Sequence, residues 1–239
     1  LISALIGPCT RRPIDRRGGR PVLIATNVMF ALGLAWLGCV HSVVGLFAAW
    51  ALLGIGLGSG LYEAAFAALV ALYGKDSRNA ISGITLIAGF ASTVGWPLSS
   101  YLQVHIGWRG ACFGWAILHL LLALPLNGLL PSAEPIGARP VPAPAPESGG
   151  SSRELLRSSI LLAIVFAVVQ FVSTAMAAHL PRLLMATGAT LAAAVAAGTL
   201  MGPAQVGARL LEIGLLRRMH PLLSARLSAL THPLGAILL

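Results

Sequence analysis

The densest charge in the sequence lies in RRPIDRRGGR, residues 11–20, where five arginines surround a single carboxylate, Asp15. A carboxylate in such a turn can pair with nearby guanidinium groups or with the positive N-terminal end of a facing helix. Arg16 and Arg20 can reach carboxylates or the carbonyl end of another helix. The same arginines can also anchor the chain to anionic lipid, at about 1 kcal/mol per cation. Lipid anchoring alone does not account for the aspartate, which favours specific contacts.

A second carboxylate, Glu63, interrupts an otherwise uncharged run from Val43 to Tyr73. A carboxylate inside a membrane span costs a few kcal/mol, so it usually faces a cavity or a partner. Glu63 can therefore take up and release a proton in such a cavity. Alternatively, it lies near one end of the span and pairs with Lys75, Arg78 or an arginine of the opening cluster. Both interpretations stay open.

Uncharged polar residues form a second group of candidates. Gln170, Ser173 and Thr174 are three and four residues apart, which places them on one helix face. They can hydrogen-bond a small polar molecule or, more commonly, a neighbouring helix. His119 is expected to be a packing or hydrogen-bonded histidine, with proton relay as the alternative.

Enzymatic chemistry is not predicted. Ser59, in the glycine-rich run GIGLGSG, could act as an intramembrane nucleophile only with a histidine within hydrogen-bond reach. The surroundings of His119, AILHLLLALP, lack the glycines that would bring two helices together there. The sequence therefore favours a protein that is not an enzyme.

The elements that must position these residues are long uncharged runs. The chain has 239 residues, of which 57% are hydrophobic and 10% are charged, a composition typical of a membrane protein. Runs of about 20 such residues cross the hydrocarbon core as helices. We predict an all-α integral membrane protein, a multi-pass bundle in two pseudo-repeated halves that is incomplete at both ends. The predicted spans are Pro21–Val40, Val43–Tyr73, Asn79–Leu102, Gly110–Leu130, Ser158–Ala178, Leu191–Leu211 and Leu222–Leu239.

Residues 131–153, PSAEPIGARPVPAPAPESGGSSR, divide the chain. Proline, alanine, glycine and serine dominate them, and such a stretch cannot bury a core. We expect a mobile linker there, between a partial N-terminal helical half at 1–130 and a partial C-terminal half at 154–239.

Basic residues predict the orientation of these spans, since cytoplasmic loops carry an excess of lysine and arginine. With alternating spans, only Arg109 and Arg182 fall on one side. Twelve fall on the other side, which we predict to be cytoplasmic and to include the linker: Arg11, Arg12, Arg16, Arg17, Arg20, Lys75, Arg78, Arg139, Arg153, Arg157, Arg217 and Arg218.

Two partner classes are not expected. The net charge of +9 could indicate nucleic-acid binding, but the basic residues sit in short clusters between long uncharged stretches. Cys9, Cys39 and Cys112 lack metal-like spacing, so neither a metal nor another cofactor is predicted.

Glycines predict one close helix contact. Gly54 and Gly58, and Gly56 and Gly60, each form a pair of small residues four apart. Such pairs let helix backbones approach closely in lipid.

The sequence resembles the major facilitator superfamily. The stretch RRPIDRRGGR is similar to that family's G-x-x-x-D-R-x-G-R-R signature between its second and third helices, with Arg11 in place of the leading glycine. GFASTVGWPLSSYL at 89–102 and GWRGACFGWAILHLLLALP at 107–125 resemble the family's fifth and sixth helices. Asp15, Arg16 and Arg20 match the signature, and its glycine is matched by Gly18 or Gly19.

The resemblance implies secondary active transport of a small solute by alternating access, in the plasma or inner membrane, with protons as a possible partner. It implies that the chain runs from the end of the second helix to about the ninth. It further implies a cytoplasmic gate at Asp15, Arg16 and Arg20, and it makes Glu63 and the Gln170 group cavity-lining. A non-transporting remnant or scaffold is the main alternative, and an intramembrane hydrolase is the weaker one.

Overall fold

The computed structural model describes residues 19–60, 62–131 and 152–214, together with isolated positions between 223 and 237. Within these residues the chain is helical and contains no strand. Helices are expected here because hydrocarbon offers no partner to backbone amides and carbonyls, which must then bond within each segment.

The helices follow one another with short connections. In chain order they are α1 (Gly19–Cys39), α2 (Val43–Gly60), α3 (Tyr62–Tyr73), a 3₁₀ turn (Gly74–Asp76), α4 (Ser77–Gly89), α5 (Ala91–Leu118), a π-helix (His119–Ala123), α6 (Leu124–Gly128), α7 (Ser152–Ala186) and α8 (Leu191–Gly214).

The predicted all-α membrane fold is confirmed. Five helical stretches among the described residues are long and apolar enough to cross a membrane. Six of the predicted spans coincide with them, because one stretch, Ser77–Gly128, holds two spans. The seventh predicted span, at 222–239, and the predicted linker lie almost wholly outside the described residues.

The chain reverses direction at Gly107. This glycine has φ 72° and ψ 171°, a backbone conformation that side chains with a Cβ rarely adopt. The indole N–H of Trp115 donates to the Ser99 hydroxyl at 3.1 Å. Residues 16 apart would be about 24 Å apart in a straight helix. Residues 98–106 and 108–118 are therefore antiparallel, as the two predicted spans require.

The described residues form two compact units. The first contains residues 19–85 and 98–131, and the second contains residues 86–97 and 152–214.

In the first unit, α1 packs closely against its neighbours at glycines. A Cβ on Gly60 would overlap the side chain of Thr26, and a Cβ on Gly56 would lie 3.2 Å from the Phe30 ring. The close approach predicted for the Gly56 and Gly60 pair is therefore present, and its partner is α1. At the N-terminal end of α1, a Cβ on Gly19 would lie only 2.7 Å from the Cβ of Ala68.

In the second unit, α8 packs against the segment 89–97. A Cβ on Gly198 would lie 2.6 Å from the Trp96 ring, and a Cβ on Gly89 would lie 2.8 Å from Val206. The Thr93 hydroxyl donates to the carbonyl of Thr199 at 3.3 Å. Small residues and a side-chain hydrogen bond hold these helices together, as is common in lipid.

The contact between Gly60 and Thr26 predicts a sharp difference between two glycine variants. We expect Gly60→Ala to destabilise the protein by about 1–3 kcal/mol, because the new methyl group forces α1 and α2 apart. Gly83→Ala is the control, since its Cβ meets no atom within 4 Å and alanine favours the helix by about 1 kcal/mol. Thermal unfolding in detergent measures both variants. Equal melting temperatures for the two would contradict the close packing.

Candidate functional site

Arg20, in the first turn of α1, contacts the end of α6. Its guanidinium donates to the carbonyl oxygen of Gly128 at 2.6 Å. The last carbonyls of a helix have no partner within the helix and carry partial negative charge, which a cation stabilises. Of the two kinds of partner predicted for Arg20, a carboxylate and a helix carbonyl end, the structure shows the second.

Arg109 makes the corresponding contact at the other end of the same helix pair. Its guanidinium donates to the carbonyl oxygen of Val40, just after α1 ends, at 2.8 Å. The guanidinium also lies 4.5 Å from the centre of the Trp108 ring. The 108–128 helix, which comprises the end of α5, the π-helix and α6, is thus bound to α1 at both ends by arginines that cap carbonyls.

Between these two caps lies a polar contact that joins Asn27 and His119. Asn27 is 92% buried within α1, and its amide Nδ2 donates to the Leu23 carbonyl at 2.9 Å. Its Oδ1 lies 2.8 Å from Nδ1 of His119. The imidazole also stacks on Phe30, with ring centres 5.2 Å apart. The hydrogen-bonded role predicted for His119 is confirmed, and its partner is Asn27.

The backbone is irregular where this contact occurs. His119 opens the π-helix, and the Leu124 N–H donates to its carbonyl, five residues back. The cause lies in the sequence, because Pro125 has no N–H and its ring collides with the preceding turn. Single π turns within α-helices occur frequently at functional sites.

The signature residues are only partly within the described chain. Asp15, Arg16 and Gly18 lie outside the described residues, whereas Gly19 and Arg20 lie within them. Gly19 abuts Ala64 and Ala68 of α3.

Glu63 is the second residue of α3, and its side chain is outside the described atoms. Ala64, the next residue, is fully buried and its carbonyl lies beside Gly19. The structure therefore brings the end of the signature next to the helical turn that carries Glu63.

The remaining predicted candidates lie on α7, in the second unit. Gln170 donates from Nε2 to the Thr174 hydroxyl at 3.3 Å, and both side chains are exposed. Ser173 is exposed as well. The predicted common face is present, and Gln170 pairs within its own helix.

Ser59, the residue considered as an intramembrane nucleophile, has its hydrogen-bond partners within its own helix. The Ser59 hydroxyl donates to the Ile55 carbonyl of its own helix at 2.7 Å. Nδ1 of His119 is engaged by Asn27. No hydrogen bond joins Ser59 to His119 among the described residues.

Sequence reasoning missed Asn27, Arg109 and the π turn. Asn27 carries the clearest signal, since an amide within an apolar span must find a partner. Pro125, six residues after His119, signals the irregular turn.

Comparisons with known proteins agree with this architecture. The family model described as Major Facilitator Superfamily matches residues 1–239. The chain is 33% identical over 112 residues to the multidrug resistance protein fnx1 of Schizosaccharomyces pombe. That match covers 46% of this chain and 21% of the relative, so the chain spans about a fifth of the relative's length. No solved structure matches the chain.

The contact between Arg20 and Gly128 makes a local prediction. A hydrogen bond to a charged group contributes about 1.5–3 kcal/mol, so its loss should loosen the last turn of α6. In Arg20→Gln we expect the amides of Leu129 and Leu130 to exchange hydrogen roughly tenfold faster. These amides bond to the carbonyls of Pro125 and Asn127.

Hydrogen exchange measured by mass spectrometry on peptides covering 124–131 provides the test. Arg209→Gln is the matched control, because Arg209 pairs with Glu212 at 3.2 Å on an exposed helix surface. Unchanged exchange in Arg20→Gln would show that the cap does not stabilise this turn.

Proposed function

Because the chain belongs to the major facilitator superfamily, a family of membrane transporters, we propose that it carries a small solute across the membrane by alternating access. The observation that carries this proposal is the family match over all 239 residues, on a chain whose described part is built of membrane-length apolar helices. Alternating access moves packed helical bodies, and close helix contacts of that kind are present within each described unit.

The relative suggests which solutes to test first. That relative is named a multidrug resistance protein, and the match covers less than half of this chain. Small organic compounds of varied structure are therefore the first class we propose as substrates. Gln170, Ser173 and Thr174 would supply hydrogen bonds to such a solute, because their side chains share one face of α7.

We place the cytoplasmic gate at Asp15, Arg16 and Arg20. Support comes from the position of Gly19 and Arg20, where α1 meets both α3 and the end of α6. Charged contacts at such a junction can form in one global state and break in the other, which biases the equilibrium between the states. The gate, the linker and the arginine-rich turns would face the cytoplasm of a cell whose plasma or inner membrane holds the protein.

Glu63 is the proposed site of proton coupling in the gate region. Its helical turn lies beside Gly19, so a change in its charge would act directly on the helix junction. A carboxylate in the membrane is costly, so it usually faces a water-filled cavity or finds a partner.

Flux through the full-length protein tests the transport proposal. The protein would be reconstituted in liposomes with an imposed proton gradient and supplied with a panel of fluorescent organic compounds that includes ethidium. Gradient-dependent flux of at least one compound, absent from protein-free liposomes, is the expected result. A panel without any such flux would count against the proposed substrate class.

Glu63→Gln tests proton coupling in the same liposomes. We expect gradient-driven flux to fall by about tenfold, since a neutral amide cannot exchange the proton. Glu212→Gln is the control, because Glu212 pairs with Arg209 on an exposed surface. Equal flux in the two variants would remove Glu63 from the coupling mechanism.

Asp15→Asn tests the gate. If Asp15 closes the cytoplasmic side, its neutralisation should reduce the share of molecules that open outward. Ser42 lies between the first two predicted spans, and Thr187 lies in the same predicted turn as Arg182, on the side opposite the predicted cytoplasmic one. Electron–electron resonance distances between spin labels at Ser42 and Thr187 would then shift to shorter values. Asp76→Asn serves as the control, and an unchanged distance distribution in Asp15→Asn would show that the gate does not depend on this carboxylate.

A further inference from the structure

The contact between Asn27 and His119 determines which imidazole nitrogen carries the proton. The Leu23 carbonyl, 2.9 Å from the Asn27 amide, can only accept a hydrogen bond, so the group that faces it must be Nδ2. Oδ1 therefore faces His119, and it too can only accept. Nδ1 of His119, at 2.8 Å, must then be the donor.

This assignment leaves the other ring nitrogen as the basic one. In a neutral imidazole only one nitrogen carries a hydrogen, so Nε2 of His119 has the free lone pair. A proton that adds at Nε2 leaves the Nδ1–H bond to Asn27 in place. The ring can therefore gain and lose a proton without breaking the contact that holds it.

One neighbour of His119, Phe30, favours the charged ring. Phe30 stacks on His119 with centres 5.2 Å apart and interplanar angle 32°. A cation within about 6 Å of a ring centre is attracted by its π face. The Phe30 ring also packs closely over Gly56, where a Cβ would lie 3.2 Å from the ring.

The charged and titratable groups around His119 are few within the described chain. Arg20 and Arg109 belong to the two packed helices, and each caps a helix-end carbonyl. Those caps lie nine or ten residues along the helix from His119, about 14–15 Å away. Two cysteines also belong to the packed helices, Cys39 at the end of α1 and Cys112 on the 108–128 helix. Glu63 lies on α3, and α2 has no titratable side chain.

His119 is also centrally placed. It lies midway along the 108–128 helix, where the π turn interrupts the regular backbone, and its ring is only half buried. In a conformation that admits water to His119 from one side, Nε2 can take a proton from hydronium. In a conformation that admits water from the other side, it can return the proton to water.

From this geometry we infer that Nε2 of His119 is a reversible proton-binding site inside the membrane region, held ready by Asn27. In the transport cycle, a role that rests on the function proposed above, this site would exchange one proton between the two sides. It is distinct from the site proposed at Glu63, since the two residues lie on different helices.

Nitrogen NMR of the full-length protein in lipid nanodiscs, with ring-labelled histidine, tests the site without any solute. The His119 signals, identified by their loss in His119→Asn, should show a protonated Nδ1 and a bare Nε2 at neutral pH. Acidification should convert Nε2 to the protonated form while Nδ1 stays protonated. The reversed tautomer, or a ring that stays neutral throughout the stable pH range, would overturn the inference.

Two further variants separate this site from an ordinary structural contact. Asn27→Leu removes the acceptor, so the fraction of His119 with the proton on Nδ1 should fall. His105→Asn is the matched control, because Nδ1 of His105 also bonds a carbonyl, that of Tyr101 at 2.8 Å, in an exposed position. A His119 tautomer that is unchanged in Asn27→Leu would show that Asn27 does not set it.

Ethidium flux in liposomes then tests coupling. We expect His119→Asn, whose amide can still donate to Asn27, to lose gradient-driven flux by about tenfold, with little change in His105→Asn. Equal pH dependence of flux in His119→Asn and the unaltered protein would overturn the transport role of this site. If the unaltered protein carries no ethidium, that result counts against the proposed substrate class, and the NMR result still decides the proton site.

Discussion

The first unit depends on one interaction, the capping of helix carbonyl ends by arginines from the opposite helix. Each chain reversal at a membrane edge leaves the last carbonyls of a helix without a partner in that helix. Arg20 satisfies this need for α6, and Arg109 does so at the end of α1. The two caps set the alignment of the helices, and this alignment brings Asn27 and His119 level with each other. The polar centre of the unit thus follows from its charged ends.

The presence of the helices could be predicted because a segment that crosses lipid needs about 20 predominantly apolar residues and must bond its own backbone. The six spans predicted within the described residues are all helical, and the turn between two of them falls at Gly107, where the backbone itself requires glycine. The small-residue pair of Gly56 and Gly60 also indicated a close contact correctly. Apolar runs and glycine spacing predict where a helix lies and which of its faces packs closely, because each pattern lies within one helix.

Pairing between helices was much less predictable. The sequence offered Arg20 a carboxylate or a carbonyl as partner, and only the three-dimensional arrangement shows that the Gly128 carbonyl, 108 residues away, is a partner. Asn27 and His119 are 92 residues apart, so neither identifies the other in a single sequence. The proposed roles of Asp15, Glu63 and the Gln170 group depend on a second arrangement of the helices and on a solute, and a single sequence specifies neither.

The two arginine caps also constrain how this unit can move. Because the helices are antiparallel and each contributes one cap, sliding one along the other would pull both guanidinium groups off their carbonyls at once. Rolling or tilting of the pair as a whole leaves both contacts in place. Sliding of one helix along the other is therefore energetically unfavourable. Movement of the two helices together, as one rigid body, is favoured over sliding because it preserves both contacts.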